Sequence, residues 1–370
     1  MQKPSPSILQ HPLMGAKFST LLKTFKLYNG PSFHFLPHFA LLLGSAISRT
    51  PFRLIEQQLL KKKRYSEIAL IKPVFIVGFW RSGTTHLHNL LGRAPGSGII
   101  TPLASGLPGE LLTLGTWLEP LLKKALPETR EIDRVAVTPK SPQEDEIPVA
   151  NLQLLSVFHA LYFPGCFRKN FNQGVFFDNV SPKQIEEWKE QVQFFLKKIV
   201  IHQDKQPLII KNPVYTTRMK YILEMWPDAR FIHIYRNPYR VFPSAKQYFQ
   251  KMLSKLALQP YDPAEIEPVV VASYLRMLDQ LYDDASGLPK NQFTEVRFED
   301  LEANPIPELQ RIYSLLELSD WNTAKYPTQN YLNQISDYKK NKYDLKKKDI
   351  ETVQNRWKKY LDKWQYDIPV

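Results

Sequence analysis

Cysteine is nearly missing from this chain. Cys166 is the only one among 370 residues, which excludes an intrachain disulfide and a cysteine-built zinc cluster and favours a reducing compartment, the cytoplasm. Cys166 itself reads as a small buried or half-buried residue. Long apolar runs are also missing. The most apolar window, residues 36–47, is interrupted by Pro37 and His38 and is shorter than the roughly 18–20 residues that span a bilayer. A buried helix is the default reading there; a helix lying on a membrane surface, with Lys61-Lys62-Lys63-Arg64 nearby, is the alternative. No short apolar region follows a basic start, so no signal peptide is read. There is no internal repeat, no low-complexity linker and no metal signature; His86 and His88 are two apart and do not share a helix face. Acidic residues are in deficit: 36 Asp and Glu against 49 Lys and Arg leave a formal charge of +13. Such a field suits a polyanionic small molecule, a nucleic acid or an anionic membrane surface, although runs such as 61–63 and 339–348 equally suit solvated faces. A hydrophobic content of 43%, with 12% aromatic residues, is that of a folded protein able to bury a large core.

One stretch organises the rest. Val74-Phe75-Ile76-Val77 runs into Gly78-Phe79-Trp80-Arg81-Ser82-Gly83-Thr84-Thr85, followed by Leu87, Leu90 and Leu91 at helical spacing. Strand, glycine loop and helix start form a phosphate cradle: loop N–H groups and the helix dipole favour an anion there. Arg81 adds a fixed positive fork, and Ser82, Thr84 and Thr85 add hydroxyls. The spacing approaches that of a nucleoside-triphosphate loop, but Thr84 stands where that loop places its lysine, which argues against a kinase or ATPase.

A second stretch has the same build. Ala229-Arg230-Phe231-Ile232-His233-Ile234-Tyr235 reads as a buried strand, and Arg236-Asn237-Pro238 follows, with Ser244 eight residues beyond the arginine. Together the two stretches resemble the sulfotransferase family that uses 3′-phosphoadenosine 5′-phosphosulfate, in its bacterial-type branch with Arg-Ser-Gly-Thr-Thr in the loop. The resemblance runs from about Pro73 to Tyr366. It implies that Arg81, Ser82, Gly83, Thr84 and Thr85 hold the 5′-phosphosulfate, that Arg236 and Ser244 hold the 3′-phosphate, and that no metal takes part. It implies an α/β fold, P-loop-like and three-layered, with a mainly parallel central sheet flanked by helices. The expected organisation is an N-terminal helical extension over residues 1–70, packed on a sulfotransferase-like domain over 71–370.

Along the chain, 98–131 reads as loops and short helices. Ser141-Pro142-Gln143-Glu144 has the form of a helix start with a capping box, and helices are expected over 143–163 and 182–202. Strands are expected over 207–211, 229–235 and 293–298. Helices are expected over 219–226, 269–282 and 305–316, through Ser244, and over a last segment whose stripe is Val353, Trp357, Tyr360, Leu361 and Trp364. Strands separated by helices imply parallel pairing.

The chemistry asks for three things: holding the donor phosphates, neutralising the leaving phosphate and taking the acceptor proton, by analogy with phosphoryl transfer. Arg81 serves the first two. Lys211, at the end of its strand, would face the bridging oxygen, as the resemblance implies. Pro213 occupies the place of the catalytic histidine of the family's cytosolic branch, so the base is sought among Glu144, Asp145 and Glu146, with Glu144 and Glu146 preferred. Glu144 competes with its own capping role, and His159 is held in reserve. Arg240 is a second cation for the 3′-phosphate or an exposed helix residue. Lys339 to Lys342 are lid cations or a solvated face. Trp80 stacks on adenine or belongs to the core. The expected function is sulfuryl transfer to a hydroxyl of a carbohydrate, lipid or small molecule, with no nucleic acid as partner. The alternatives are a non-catalytic basic protein binding nucleic acid or a membrane surface and, more weakly, a nucleotide kinase. A peripheral membrane contact through the N-terminal region stays open.

Overall fold

The structure, a computed structural model, describes residues 2, 4, 6–7, 10–62, 65–125, 138–318, 321–335 and 345–369. Lys339 to Lys342 lie outside them. The chain forms two compact units, the first made of residues 1–70, 98–205 and 250–265 and the second of 71–97, 206–249 and 266–370. The strands in chain order are β1 (Val74–Val77), β2 (Gly98–Ile99), β3 (Leu208–Lys211), β4 (Arg230–Tyr235) and β5 (Phe293–Arg297).

In the second unit β1 lies between β3 and β4, and β5 follows β4, all parallel. The register sets Ile76 beside Lys211 and Ile232, Val77 beside His233, and Tyr235 beside Arg297. β1 and β3 are buried along their whole length, and β4 is buried up to Tyr235. Their runs of Val, Ile, Leu and Phe are what a strand covered on both faces requires. β5 alternates between buried and half-buried positions, as in its sequence. Helices Thr84–Leu91, Met219–Met225, Pro238–Leu256 and Ile266–Ala285 lie between these strands, as expected of an α/β chain. The last apolar stripe is divided between two helices, Lys347–Arg356 and Lys358–Trp364, with Trp357 at the junction. Trp357 stacks on Tyr274 at 3.6 Å, stands edge-on to Phe79 and Phe242, and donates its indole N–H to the Val271 carbonyl at 3.1 Å. That packing fixes Phe79, the second residue of the glycine loop.

In the first unit, the 27-residue helix Leu36–Lys62 turns Phe39, Leu42, Ala46, Arg49, Glu56 and Leu60 inward. The two charges on that face are matched. Arg49 pairs with Glu110 at 2.8 Å, Arg53 pairs with the other oxygen of Glu110, and Glu56 pairs with Lys198. Glu56 also accepts the N–H groups of Leu112 and Thr113. Helix Pro182–Gln203 begins with a full capping box between Ser181 and Gln184.

The parallel motif Ser141-Pro142-Gln143-Glu144 does not start a helix, contrary to expectation. The Ser141 hydroxyl accepts the Thr138 N–H at 2.8 Å, and the Gln143 N–H goes to the Ile100 carbonyl at 2.8 Å. Those bonds hold 141–144 out of helix. Two short helices follow, Glu146–Leu152 and Val157–Tyr162, in place of one over 143–163; Gln153 is extended, and Ser156 caps the second. Cys166 is exposed, not buried.

Candidate functional site

β1 ends against a loop that admits only particular residues. Gly78 has φ 142°, and a Cβ there would stand 2.4 Å from the Ile234 carbonyl oxygen. Its N–H donates to the Thr216 hydroxyl at 2.8 Å. Arg81 is left-handed at φ 72°, a conformation that a non-glycine residue holds only when its surroundings impose it. Gly83 has φ 101°, and a Cβ there would meet Phe298 at 2.2 Å. Gly83 is also the N-cap of helix Thr84–Leu91, and no side chain caps that end. First-turn N–H groups of such a helix need an acceptor from elsewhere. Ser82 is 2% exposed, and its hydroxyl is buried with no hydrogen-bond partner among the described residues. An orphaned buried hydroxyl costs about 1–3 kcal/mol; a phosphate or sulfate oxygen would relieve it. The loop therefore fits an anion.

The two anion stretches meet in space. Arg81 Nε donates to Ser244 Oγ at 3.0 Å across 163 positions of sequence. The guanidinium also lies 5.9 Å from the Tyr248 ring centroid. Arg236 stacks over Phe298 at 4.2 Å, the same ring that closes on Gly83. Asn237, next to Arg236, donates its N–H to Glu299 at 3.0 Å and accepts the Tyr239 N–H at 2.9 Å. Thr84 is buried and Thr85 half-buried at the helix start. Lys211 is the last residue of β3, in register with Ile76 of β1, and is buried. Arg81, Ser82, Gly83, Thr84, Thr85, Lys211, Arg236 and Ser244 thus all belong to the second unit, and the loops carrying them follow the carboxyl ends of its strands or, for Ser244, the first turns of the next helix. Parallel α/β sheets bind ligands at that edge.

A buried polar chain beside this loop is not among the residues singled out from the sequence. His233 on β4 shares a hydrogen bond through Nδ1 with Glu295 of β5 at 2.9 Å. Tyr282 donates to the same carboxylate oxygen at 2.6 Å, and Trp364 donates to Tyr282 at 3.2 Å. Burial works against charge on Glu295, yet the bonds from His233 and Tyr282 and the charge of Lys363 hold its carboxyl below the usual value. A small cavity lies between His233, Tyr235, Trp364, Ser82 and Arg236. His233 Nε2, like Ser82 Oγ, is buried with no partner among the described residues. The usable signal was a histidine inside an otherwise apolar strand run, opposite a glutamate on the neighbouring strand.

Glu144 and Glu146 belong to the first unit. Glu146 opens its helix, is buried, and accepts the Val157 N–H at 3.1 Å; Glu144 is half-buried. His159 is fully buried, with its two ring nitrogens 2.8 Å and 3.1 Å from the carbonyls of Leu154 and Ala150, and burial pushes its pKa down to about 4. It is a packing residue. Trp80 is buried edge-on to Phe249 and belongs to the core. Arg240 is exposed.

Comparison with known proteins gives a consistent result. The model of the Sulfotransferase family matches residues 73–323. The omega-hydroxy-beta-dihydromenaquinone-9 sulfotransferase Stf3 of Mycobacterium bovis, and that of Mycobacterium tuberculosis, are each 30% identical over 315 residues, covering 84% of this chain and 80% of the relative. Among solved structures, sulfotransferase STF9 from Mycobacterium avium superposes with a TM-score of 0.67 at 13% identity, over 96% of this chain and 98% of that one. Sulfotransferase STF1 from Mycobacterium tuberculosis superposes with a TM-score of 0.61 at 18% identity, over 91% and 90%.

Proposed function

The chain belongs to the sulfotransferase family, and from that premise we propose that its donor is 3′-phosphoadenosine 5′-phosphosulfate and its acceptor the hydroxyl of an apolar, lipid-like molecule. It is an enzyme of sulfuryl transfer; the kinase and non-catalytic alternatives are not retained. The observation that carries the donor assignment is the Arg81–Ser244 hydrogen bond, which joins the two anion stretches into one region suited to a nucleotide with phosphates at both ends. The acceptor class is supported by the 30% identical relative, whose name specifies an omega-hydroxylated menaquinone.

In this reading the loop N–H groups of residues 82–85, the hydroxyls of Ser82, Thr84 and Thr85, and Arg81 hold the 5′ end. Arg236 and Ser244 hold the 3′-phosphate. Lys211 neutralises charge that builds on the leaving oxygen in this reading, since a buried cation acts with little screening. The donor supplies an SO3 group bonded through oxygen to phosphorus, so the chain has only to position it, stabilise the departing phosphate and accept one proton. Glu144 or Glu146 takes that proton from the acceptor hydroxyl.

The test is a calorimetric titration with adenosine 3′,5′-bisphosphate, ADP and ATP, followed by sulfuryl transfer to long-chain alcohols. Binding of the 3′,5′-bisphosphate alone is the expected result. Equal affinity for ATP would overturn the donor assignment. A full preference for the bisphosphate, with turnover on sugars and none on lipid alcohols, would overturn the acceptor class alone. Glu144→Gln and Glu146→Gln decide the base: one of them should reduce kcat by about 100-fold or more while leaving nucleotide affinity intact.

A further inference from the structure

Ten of the fifteen exposed large apolar side chains among the described residues fall between Leu22 and Ile55. On helix Leu36–Lys62 every exposed residue from Leu36 to Gln58 is uncharged. Ala40, Leu41, Gly44, Ile47, Ser48, Pro51, Phe52 and Ile55 recur at helical spacing on the side opposite the buried Phe39, Leu42, Ala46 and Arg49. Leu41 is 56% exposed and Ile47 57%. The preceding helix, Phe18–Leu27, adds exposed apolar side chains of its own, Leu22, Phe25 and Leu27, and packs on the longer helix through the Phe25 ring, 5.2 Å from that of Phe39. Phe33, between the two helices, is 81% exposed. Water-facing helix sides are normally polar, and an apolar patch of this extent marks an interaction surface.

Charge identifies the occupant. Between Gln10 and Ile55 there is no Asp or Glu. The cations that border the apolar side, Lys23 and Lys26 on one helix and Lys61 and Lys62 at the end of the other, are exposed. Among the described residues no helix is long and apolar enough to cross a membrane, so the segment has the length and charge of one that lies in the interface. A protein partner would have to present an apolar groove rimmed by carboxylates. A bilayer with anionic lipids offers apolar depth and negative headgroups over any area. We propose that residues 22–62 form a docking face for an anionic lipid surface, with Phe33, Leu41, Ile47, Phe52 and Ile55 entering the acyl boundary and Lys23, Lys26, Lys61 and Lys62 meeting the headgroups. This inference does not depend on the acceptor class proposed above, although an apolar acceptor dissolved in the same lipid would be met there.

The experiment is vesicle flotation of the full chain, without donor or acceptor, on phosphatidylcholine alone and on phosphatidylcholine containing about a third phosphatidylglycerol, at low and high salt. Binding to the anionic vesicles, weakened by salt, is expected. Ile47→Asp with Ile55→Asp should reduce it by at least about a hundredfold, because two large apolar side chains no longer enter the bilayer. Lys23→Glu with Lys26→Glu leaves the apolar side untouched and should reduce binding to anionic vesicles by about thirtyfold or more. Both variants should keep the unfolding temperature and the affinity for adenosine 3′,5′-bisphosphate. A wild-type chain that stays with neither vesicle overturns the proposal. So does binding that both variants preserve. A wild-type dimer by light scattering that the isoleucine variant dissociates would assign the face to a second copy of the chain instead.

Discussion

Arg236→Ala separates binding from folding in one side chain. In the free protein the guanidinium rests 4.2 Å above the Phe298 ring. Losing that contact alone costs about 0.5–1 kcal/mol of stability at a partly exposed site, and a thermal melt of the variant checks that the fold survives. Its assigned task is a charge-assisted contact to the 3′-phosphate, worth about 1.5–3 kcal/mol. Converted at 1.4 kcal/mol per decade, that is a loss of roughly 10- to 150-fold in affinity for adenosine 3′,5′-bisphosphate. The same substitution should change affinity for AMP, which has no 3′-phosphate, by less than about threefold. Isothermal titration of both nucleotides against both proteins gives the four numbers required. Equal losses for the two nucleotides would mean that Arg236 supports the loop without touching the 3′-phosphate. No loss for either would remove Arg236 from the site, and with it the assignment of the second stretch to the 3′-phosphate.

Gly83→Ala should cost at least about 2 kcal/mol in chemical denaturation, since φ 101° is foreign to alanine and the new Cβ would stand 2.2 Å from Phe298; adding Phe298→Leu should restore part of the loss, and no loss in the single variant would contradict the loop geometry. Glu110→Ala leaves Arg49 and Arg53 facing each other without their shared carboxylate and should lower stability by about 3–5 kcal/mol, as breaking a buried pair does; a thermal melt within a degree or so of wild type would refute the buried pairing. Glu295 is held below its usual pKa against the cost of burial by His233 on β4, Tyr282 on helix Ile266–Ala285 and Lys363 near the C-terminus. A depressed carboxyl stabilises the fold above its unfolded pKa and loses that contribution as pH falls through its folded one. The stability advantage of wild type over Glu295→Gln should therefore be full near neutral pH and shrink below the ordinary carboxylate range; an advantage that grows on acidification would reverse the sign.

The phosphate loop was legible because its constraints are local. Gly78 and Gly83 are needed for backbone angles set within a few residues, and an apolar run before the loop and Leu87, Leu90 and Leu91 after it are periodic on their own. β1, β3 and β4 were legible for the same reason, because a covered parallel strand needs nothing but a short apolar run; the two-residue β2, Gly98–Ile99, lies in a stretch that reads as loops and short helices. The limit is visible in two motifs of one form. Ser181-Pro182-Lys183-Gln184 caps a helix as written. Ser141-Pro142-Gln143-Glu144 does not, because the backbone near Ile100 and Thr138 takes the same donors and acceptors first. A cap is worth about a kilocalorie, so one local turn bond to Thr138 together with one tertiary bond to Ile100 reverses it.

Long-range pairings were beyond local pattern altogether. The Arg81–Ser244 bond, the His233–Glu295–Tyr282 chain and the matching of Arg49 and Arg53 to Glu110 join residues between 13 and 163 positions apart. The apolar window at 36–47 was read as a buried helix from its composition. Composition counts apolar residues without saying how many sides of a helix the rest of the chain covers, and here one side is packed and the other exposed. Local backbone geometry and periodicity are written in the residues themselves; which polar groups meet, and which apolar faces stay open, depends on where the folded chain brings distant segments together.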